Sequence, residues 1–300
     1  MTIHHNSCPS CNSDKISNFL NCRDNLVTVE SFTVAKCGSC GFFFTQDYPD
    51  SSEIGRYYQS EDYISHTGSS RNLFEKLYSA AREIMLRSKS GLISRACNKE
   101  TGKLLDIGSG TGNFVHAMMK AGWDSTGVEI NEKARKLSIS ELGINAISPD
   151  EIKSLQSESF DCITLWHVLE HFHDPFRYAS EIVRLLKPGG VCVIALPNSR
   201  SFDAEHYRNY WAAYDVPRHL WHFNPETFRL FADKTGFKTK NLLTLPLDLF
   251  YISILSEKYK GSRLHLFKGI AIAITYTFTS FFNKKRSSSI IYILRKIQVL

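Results

Sequence analysis

The sequence lacks a long apolar run. It contains no stretch of about 18 or more consecutive apolar residues, so a helix that spans a membrane is not expected. The first ten residues, MTIHHNSCPS, do not resemble a secretion signal. We therefore expect a cytoplasmic protein, whose eight cysteines are metal ligands or buried thiols rather than disulfides.

Acidic residues are almost absent from the C-terminal region. Residues 251–300 contain nine Lys or Arg and a single acid, Glu257, whereas residues 1–250 contain 27 basic and 29 acidic residues. A basic end on a nearly neutral body predicts an anionic partner for that end.

Two nucleotide-binding signatures are missing from the glycine-rich stretch LLDIGSGTGNF. A dinucleotide loop, GxGxxG, counted from Gly108 would need a glycine where Asn113 stands. A phosphate loop would need GxxxxGK before Ser or Thr, and no Lys is placed for it. The stretch instead reads DxGxGxG over residues 106–112, and an acid, Glu129, ends the second predicted strand.

Apolar runs and helical patterns alternate after residue 100. Strands are predicted over KLLDI, WDSTGVEI, INAIS, FDCITLWHV and VCVIALPN, with helices between them, such as DPFRYASEIVRLLKPGG. Two further strands are predicted at FKTKNLLTL and SSIIYILRKI. This order predicts a Rossmann-like α/β fold, a seven-stranded, mostly parallel sheet with helices on both faces. Ligands of such sheets bind at the carboxyl ends of the strands, where the glycine loop lies.

Two CxxC pairs, CPSC and CGSC, stand near the N-terminus with 25 residues between them. Four thiolates suit tetrahedral Zn²⁺, and without an evident open coordination position the metal would be structural. Four free buried thiols are the alternative. The predicted ligands are Cys8, Cys11, Cys37 and Cys40. We thus expect a zinc-binding module at 1–48, a helical connector or cap at 49–100, and the α/β domain at 101–300, with a helical insertion at about 246–285.

The glycine loop followed by Glu129 resembles that of the class I S-adenosylmethionine-dependent methyltransferases. FDCIT, LWHVLEHFHDP and LKPGGVCVIALPN also match the family in order, over roughly residues 100–245. The resemblance implies that the loop lies beneath the methionine part of S-adenosylmethionine and that Glu129 binds both ribose hydroxyls. Asp150, which follows strand three, loosely matches the acid that lies on the adenine side of the cofactor in this family. A plain surface loop is an equal alternative for this residue. The cofactor-binding residues so implied are Asp106, Gly108, Ser109, Gly110, Gly112, Asn113, Glu129, Ile130, Asp150 and His167.

The first cluster of candidate catalytic residues, HVLEHFH, follows strand four. A hydroxyl or carbon acceptor must lose a proton, and histidine is the natural base. Quinone-biosynthesis methyltransferases resembling this domain carry E-x-x-E-H here, which can hold a divalent cation. In this chain His167 replaces the first Glu, and hard cations prefer oxygen ligands, which disfavours a magnesium-type site. The candidates are His167 and His171; alternatively, Glu170 and His171 only order the loop.

The second cluster, DVPRHLWHF, follows strand five. Related methyltransferases often carry a His a few residues before a Phe close to the acceptor, and His219 matches that spacing to Phe223. We expect His219 to be the acceptor-side base or orienter, supported by His222 and by Arg218, which could also bind a substrate phosphate. A purely structural loop fixed by tryptophan and tyrosine side chains is the alternative. Tyr57, Tyr58 and Tyr63 could close over the site or pack between modules.

These patterns favour a zinc-containing methyltransferase that acts on a small acceptor. The acceptor expected first is a sugar, a nucleotide sugar or a lipid-linked glycan. RNA methylation, or a non-catalytic module that binds cofactor or a partner, stays open; nucleic acid is disfavoured because the body is not basic. The stretch KGIAIAITYTFTSFFNKKR is too short for a span but suits peripheral contact at the inner membrane face. An insertion that packs over the acceptor site is the alternative for this stretch.

Overall fold

The structure, a computed structural model, describes residues 1–59 and 73–297, with side chains described at 1–59 and 82–297. Its strands are β1 (Thr2–Ile3), β2 (Ile16–Arg23), β3 (Ser31–Cys37), β4 (Phe43–Thr45), β5 (Tyr48–Pro49), β6 (Lys103–Ile107), β7 (Asp124–Val128), β8 (Asn145–Ile147), β9 (Phe160–Trp166), β10 (Leu186–Pro197), β11 (Trp221–His222), β12 (Phe237–Thr244) and β13 (Ser289–Lys296). Its α-helices are α1 (Leu73–Cys97), α2 (Asn113–Lys120), α3 (Glu132–Leu142), α4 (Pro175–Leu185), α5 (Phe202–Tyr207), α6 (Pro225–Lys234), α7 (Pro246–Tyr259) and α8 (His265–Phe282).

The main sheet has seven strands in the order β12-β13-β10-β9-β6-β7-β8. Strands β6 to β10 pair in parallel, and β13 runs antiparallel to both β10 and β12. The central strands are apolar on both faces, and Leu104, Leu105, Ile163 and Val193 are fully buried. This burial on both faces is what helices packed above and below a parallel sheet require. The predicted α/β fold is confirmed.

Local signals set the ends of several helices. The side chain of Asn131 accepts a hydrogen bond from the Ala134 amide at the start of α3, and Gly143 ends that helix with φ of 64°. Helix α4 was predicted to continue through KPGG, but it ends at Leu185 and the KPGG residues lie within the twelve-residue β10. Pro188 disfavours the helical conformation of the residue before it, so the helix stops early.

The N-terminal part forms a second sheet, and one strand of this sheet, β11, comes from a distant part of the sequence. Its strand order is β11-β4-β3-β2, and Trp221 of β11 pairs with Phe44 of β4. The strand β11 follows the fifth strand of the main sheet, so the two parts of the molecule share backbone hydrogen bonds. Side chains join them too, since Thr45 Oγ1 donates to the His219 carbonyl at 2.7 Å.

The segment between β12 and β13 contains the two helices α7 and α8, packed against each other. At Gly269 a Cβ would lie 2.6 Å from Ile254 Cα, so the helices touch through backbone at this point. Within the ranges the structure describes, no helix is both long and apolar enough to cross a membrane.

Candidate active site

The glycine loop joins β6 to α2 at the carboxyl edge of the sheet. Gly108, Gly110 and Gly112 all have positive φ, of 78°, 54° and 78°. At Gly108 a Cβ would come within 2.3 Å of the Val168 side chain, and at Gly112 within 2.4 Å of Ile144. Only glycine fits at these two positions, on steric as well as conformational grounds.

Glu129 lies directly across this loop. One carboxylate oxygen accepts a hydrogen bond from the Gly110 amide and the other from the Asn131 amide, each at 2.7 Å. The guanidinium of Arg135 binds the Glu129 carbonyl at 2.6 Å, which fixes the end of β7. The acid and the glycine loop therefore form one hydrogen-bonded unit at the point where the sequence predicts the cofactor.

Asp106 lies beneath the loop and is buried. It accepts a hydrogen bond of 2.6 Å from the Thr164 hydroxyl on the neighbouring strand β9. Burial raises the pKa of Asp106 to about 7, against the opposing effects of Thr164 and the Lys89 ammonium. Asp106 thus holds the strand ends together from below the loop.

The other predicted cofactor residues lie around this unit with different exposure. Asn113 donates to Thr111 at 2.8 Å within the loop, and the Ser109 hydroxyl is buried against Gly127. Ile130 is 82% exposed, and Asp150 is exposed in the first turn of the 3₁₀ helix Pro149–Ser154. Exposed positions such as these are open to a ligand, and their predicted role stays a prediction.

His167 stands at the carboxyl end of β9 with φ of 56°, a left-handed conformation that non-glycine residues seldom adopt. Its Nε2 lies 2.9 Å from Asp248 Oδ2 on α7, and its Nδ1 lies 3.7 Å from Glu170 Oε1. Burial alone would lower the pKa of His167, but the carboxylates of Asp248 and Glu170 raise it to about 10. His167 is therefore a cation at neutral pH, and as such it is unsuited to remove a proton.

Glu170 occupies the centre of a buried cluster of histidines. The residue is 1% exposed, and neither carboxylate oxygen has a hydrogen-bond partner among the described residues. His219 Nε2 lies 4.0 Å from Glu170 Oε1. Burial acts to raise the pKa of Glu170, but His167, His219 and His171 hold it below its usual value. The result is a buried carboxylate whose hydrogen-bonding capacity is unused.

His219 and His171 are in direct edge-to-face contact beside this carboxylate, with ring centroids 4.5 Å apart. His219 Nδ1 lies 2.9 Å from the Ala213 carbonyl, to which it donates a hydrogen bond, so the neutral form of the ring is the tautomer with its lone pair on Nε2. His171 Nδ1 contacts the Arg218 carbonyl and the Tyr58 hydroxyl, each at 3.1 Å. Burial and the neighbouring His219 lower the pKa of His171 to about 4, so it is neutral.

The structure places two of the predicted residues outside this cluster. His222 Nε2 lies 3.0 Å from the Thr45 hydroxyl, and burial lowers the pKa of His222 to about 3. Arg218 is buried and forms ion pairs with Asp24 at 2.9 Å and Asp215 at 2.7 Å. Both side chains instead join the N-terminal part to the main domain. The sequence alone did not reveal this role, since it does not show which residues the N-terminal part contacts. Tyr63 lies outside the described residues.

Glu170, His171 and His219 also form a group whose ligand atoms lie within 4.8 Å of one another. Two imidazoles and one carboxylate suit a transition-metal ion better than Mg²⁺, which prefers oxygen ligands. His167, which stands where the resemblance expects a first Glu, is paired with Asp248.

The four cysteines of the CxxC pairs form the other group of potential ligands. Their sulfur atoms lie within 4.8 Å of one another, with Cys8 and Cys40 at 3.6 Å and Cys11 and Cys37 at 3.6 Å. A tetrahedral Zn–S distance of about 2.3 Å corresponds to sulfurs about 3.8 Å apart, which matches this arrangement. Burial opposes ionisation, but the amides of Cys40 and Ser39 lower the pKa of Cys37 to about 7.

Sequence reasoning missed several residues of the site. Asp248 contacts His167, and the only signal for it was a lone acid at the start of an apolar helix. Lys89 places its ammonium 4.0 Å from the centre of the Trp166 ring at the end of β9, and this contact between α1 and the strand had no signal. Both contacts join segments far apart in the sequence.

A family of methyltransferase domains matches residues 79–242, more than half of the chain. Curated relatives include the ubiquinone biosynthesis O-methyltransferases of Psychrobacter arcticus, 33% identical over 105 residues (32% of this chain, 41% of the relative), and Aromatoleum aromaticum, 28% identical over 166 residues (50% and 70%). That of Bordetella avium is 34% identical over 95 residues (29% and 39%). The chain thus spans about two fifths of the length of the Psychrobacter and Bordetella relatives.

Solved structures show the same fold at low identity. A Galdieria sulphuraria protein assigned as a sarcosine dimethylglycine methyltransferase aligns with a TM-score of 0.50 at 16% identity, over 73% of this chain and 86% of its own. A Bacillus halodurans C-125 protein assigned as a methyltransferase aligns with a TM-score of 0.50 at 17% identity, over 70% and 100%. The chain belongs to the methyltransferase-domain family, and its domain is of the S-adenosylmethionine-dependent class I type.

Proposed function

We propose that the protein transfers the methyl group of S-adenosylmethionine to a hydroxyl oxygen of a small acceptor, such as a sugar, a nucleotide sugar or a lipid-linked glycan. The observation that carries this proposal is the buried Glu170, which lies between His219, His171 and His167. Val168, two residues before Glu170, packs on Gly108 of the glycine loop. The histidine cluster is thereby fixed next to the predicted cofactor site.

The cofactor side of the reaction depends on the glycine loop and Glu129. When bound, S-adenosylmethionine supplies an activated methyl group and its own leaving group, so the protein mainly supplies position. Glu129 now accepts hydrogen bonds from two backbone amides. A carboxylate has lone pairs for further donors, so Glu129 can accept from two ribose hydroxyls while it keeps the loop ordered.

The acceptor side depends on His219. Its proton sits on Nδ1 against the Ala213 carbonyl, so Nε2 is free to accept the proton of an acceptor hydroxyl. Once protonated, Nε2 faces Glu170 Oε1 at 4.0 Å and Asp215 Oδ2 at 3.9 Å. These two carboxylates stabilise the imidazolium, which makes removal of the proton easier. The three curated relatives described above are named as O-methyltransferases, and this also supports a hydroxyl acceptor.

The first test separates cofactor binding from chemistry. We expect Glu129→Ala to weaken the binding of S-adenosylmethionine and S-adenosylhomocysteine in calorimetric titration by roughly 10- to 100-fold, through lost charge-assisted hydrogen bonds. We expect His219→Ala to leave this affinity within about twofold and to reduce turnover by roughly 10² to 10⁴, the contribution of a general base. Turnover is measured as S-adenosylhomocysteine released with a panel of acceptors, sugars first.

The matched control is His206→Ala, which removes an exposed histidine outside the cluster. It should behave as wild type in both measurements. If the wild-type protein bound neither ligand, the enzymatic proposal would be rejected. If His219→Ala turned over normally, the base would have to be another group.

We also propose that Cys8, Cys11, Cys37 and Cys40 hold one structural Zn²⁺. Support comes from the arrangement of their sulfur atoms, which matches a tetrahedral thiolate site. Such a site would contribute to folding and would not take part in methyl transfer.

A further inference from the structure

The outward face of α8 carries a stripe of large apolar side chains. Phe267, Ile274, Phe278 and Phe281 are 71%, 58%, 68% and 77% exposed. Their spacing of seven, four and three residues places them on one side of the helix, over a length of about 21 Å. Phe282, 74% exposed, contacts Phe278 and Phe281 and widens the stripe at the C-terminal end.

The opposite face of α8 carries small side chains. Gly269, Ala273 and Ser280 are buried, and Gly269 lies directly against the Ile254 backbone of α7. A helix at the surface of a protein in water ordinarily turns its large apolar residues inward. In α8 this arrangement is reversed, and an exposed apolar surface of this kind marks a contact with another phase or partner.

Positive charge surrounds this stripe. Arg263 and Lys268 are exposed near its N-terminal end, and Lys284 and Lys285 are exposed just beyond its C-terminal end. None of these four cations has an ion pair within the described part of the chain, whereas the neighbouring Arg286 is paired with Glu205 at 2.5 Å. No Asp or Glu occurs in residues 258–300.

We propose that this face of α8, with its four cations, docks on the surface of a lipid bilayer that contains anionic lipids. The apolar stripe would enter the boundary between headgroups and acyl chains, and the cations would lie at the headgroups. A second copy of the chain is disfavoured as the partner, because a symmetric contact would bring the same cations of both copies together without an acid between them. This proposal stands independently of the methyl acceptor.

The test is sedimentation of the full chain with vesicles of phosphatidylcholine alone and with 30% phosphatidylglycerol. We expect binding to the anionic vesicles only, falling as salt is added. Lys284→Gln with Lys285→Gln should weaken binding roughly 30-fold, since each cation near the surface contributes about 1 kcal/mol. Phe278→Ser with Phe281→Ser should reduce it to background.

The matched control is Ile139→Ser with Lys120→Gln, exposed residues of α3 and α2 that lie outside the α7–α8 segment. This variant should bind vesicles as wild type does, and all variants should keep the wild-type thermal midpoint. Vesicle binding that neither the Lys284/Lys285 variant nor the Phe278/Phe281 variant changes, or no binding at all, would overturn the proposal. A dimer that dissociates only in the variant Phe278→Ser with Phe281→Ser would also overturn the proposal. RNA binding that this variant retains, in a protein that does not bind vesicles, would overturn it as well.

Discussion

At the scale of single residues, Asp161 joins three segments of the main domain. Its carboxylate lies 2.5 Å from Lys99 Nζ and 2.7 Å from Lys187 Nζ, and it accepts from the Lys103 amide at 2.9 Å. Burial acts to raise the pKa of Asp161, but these three donors lower it to about 2, from 3.8. Asp161 thereby joins the end of α1, the start of β6 and the start of β10.

We predict that Asp161→Asn lowers the free energy of unfolding by about 2 kcal/mol at pH 7, because a pKa shift of one unit corresponds to about 1.4 kcal/mol. Since the pKa is lowered on folding, the stabilisation is complete above about pH 4 and is lost as the pH falls through 2. Urea unfolding at several pH values measures this free energy of unfolding and its dependence on pH. The control Asp124→Asn, on an exposed residue of β7, should change little; an equal loss from the two variants at pH 7 would contradict this account.

At the scale of elements, an ion pair attaches the helical segment between β12 and β13 to the site. Asp248 in the first turn of α7 binds His167 at 2.9 Å, and His167 in turn faces Glu170. Because the pKa of His167 is raised to about 10, the stabilisation that this ion pair gives the folded state is present at neutral pH and is lost as the pH rises through 10.

We predict that Asp248→Asn increases the rate of backbone hydrogen exchange in α7 at neutral pH, by up to about fivefold, the effect of a partly exposed ion pair worth at most about 1 kcal/mol. The control is Asp233→Asn, which removes an exposed ion pair with Arg229 on α6. Equal exchange in α7 for wild type and Asp248→Asn would show that the ion pair does not hold the helix.

Local pattern was enough to predict the seven strands of the main sheet and the place of the glycine loop, because their signals lie within a few residues. The positions of Asp248, His222 and β11 were not predictable in this way. Asp248 meets His167 across 81 residues of sequence, and Thr45 meets His222 across 177. Such contacts depend on how elements pack, and a single sequence carries no local sign of them.

At the scale of the whole molecule, the cysteine-containing part and the methyltransferase domain are joined into one body. Trp221 and His222 complete the N-terminal sheet, and the buried Arg218 pairs with Asp24 of that part. The Tyr58 hydroxyl reaches His171 from the segment between them. If the region around the cysteines loses its structure, the histidine cluster should therefore become disordered as well.

We predict that freshly purified protein contains one zinc per chain and that its removal by a chelator lowers the thermal midpoint of the entire molecule in one transition. Cys37→Ser should lose the zinc and show the same lowered midpoint. Cys22→Ala, on a buried cysteine of the same sheet outside the cluster, should keep the metal. A separate low-temperature transition confined to the N-terminal part would contradict the single body, and protein without metal would reject the zinc site.

The pairing of β11 with β4 has a consequence for synthesis on the ribosome. Thr45 and His222 are 177 residues apart, so the N-terminal sheet cannot be completed until the chain beyond β11 has emerged. At about 5–20 residues per second this delay is roughly 10–35 s. During that interval the edge of β4 and the aromatic side chains beside it would stay uncovered, and an unpaired strand edge of this kind favours aggregation.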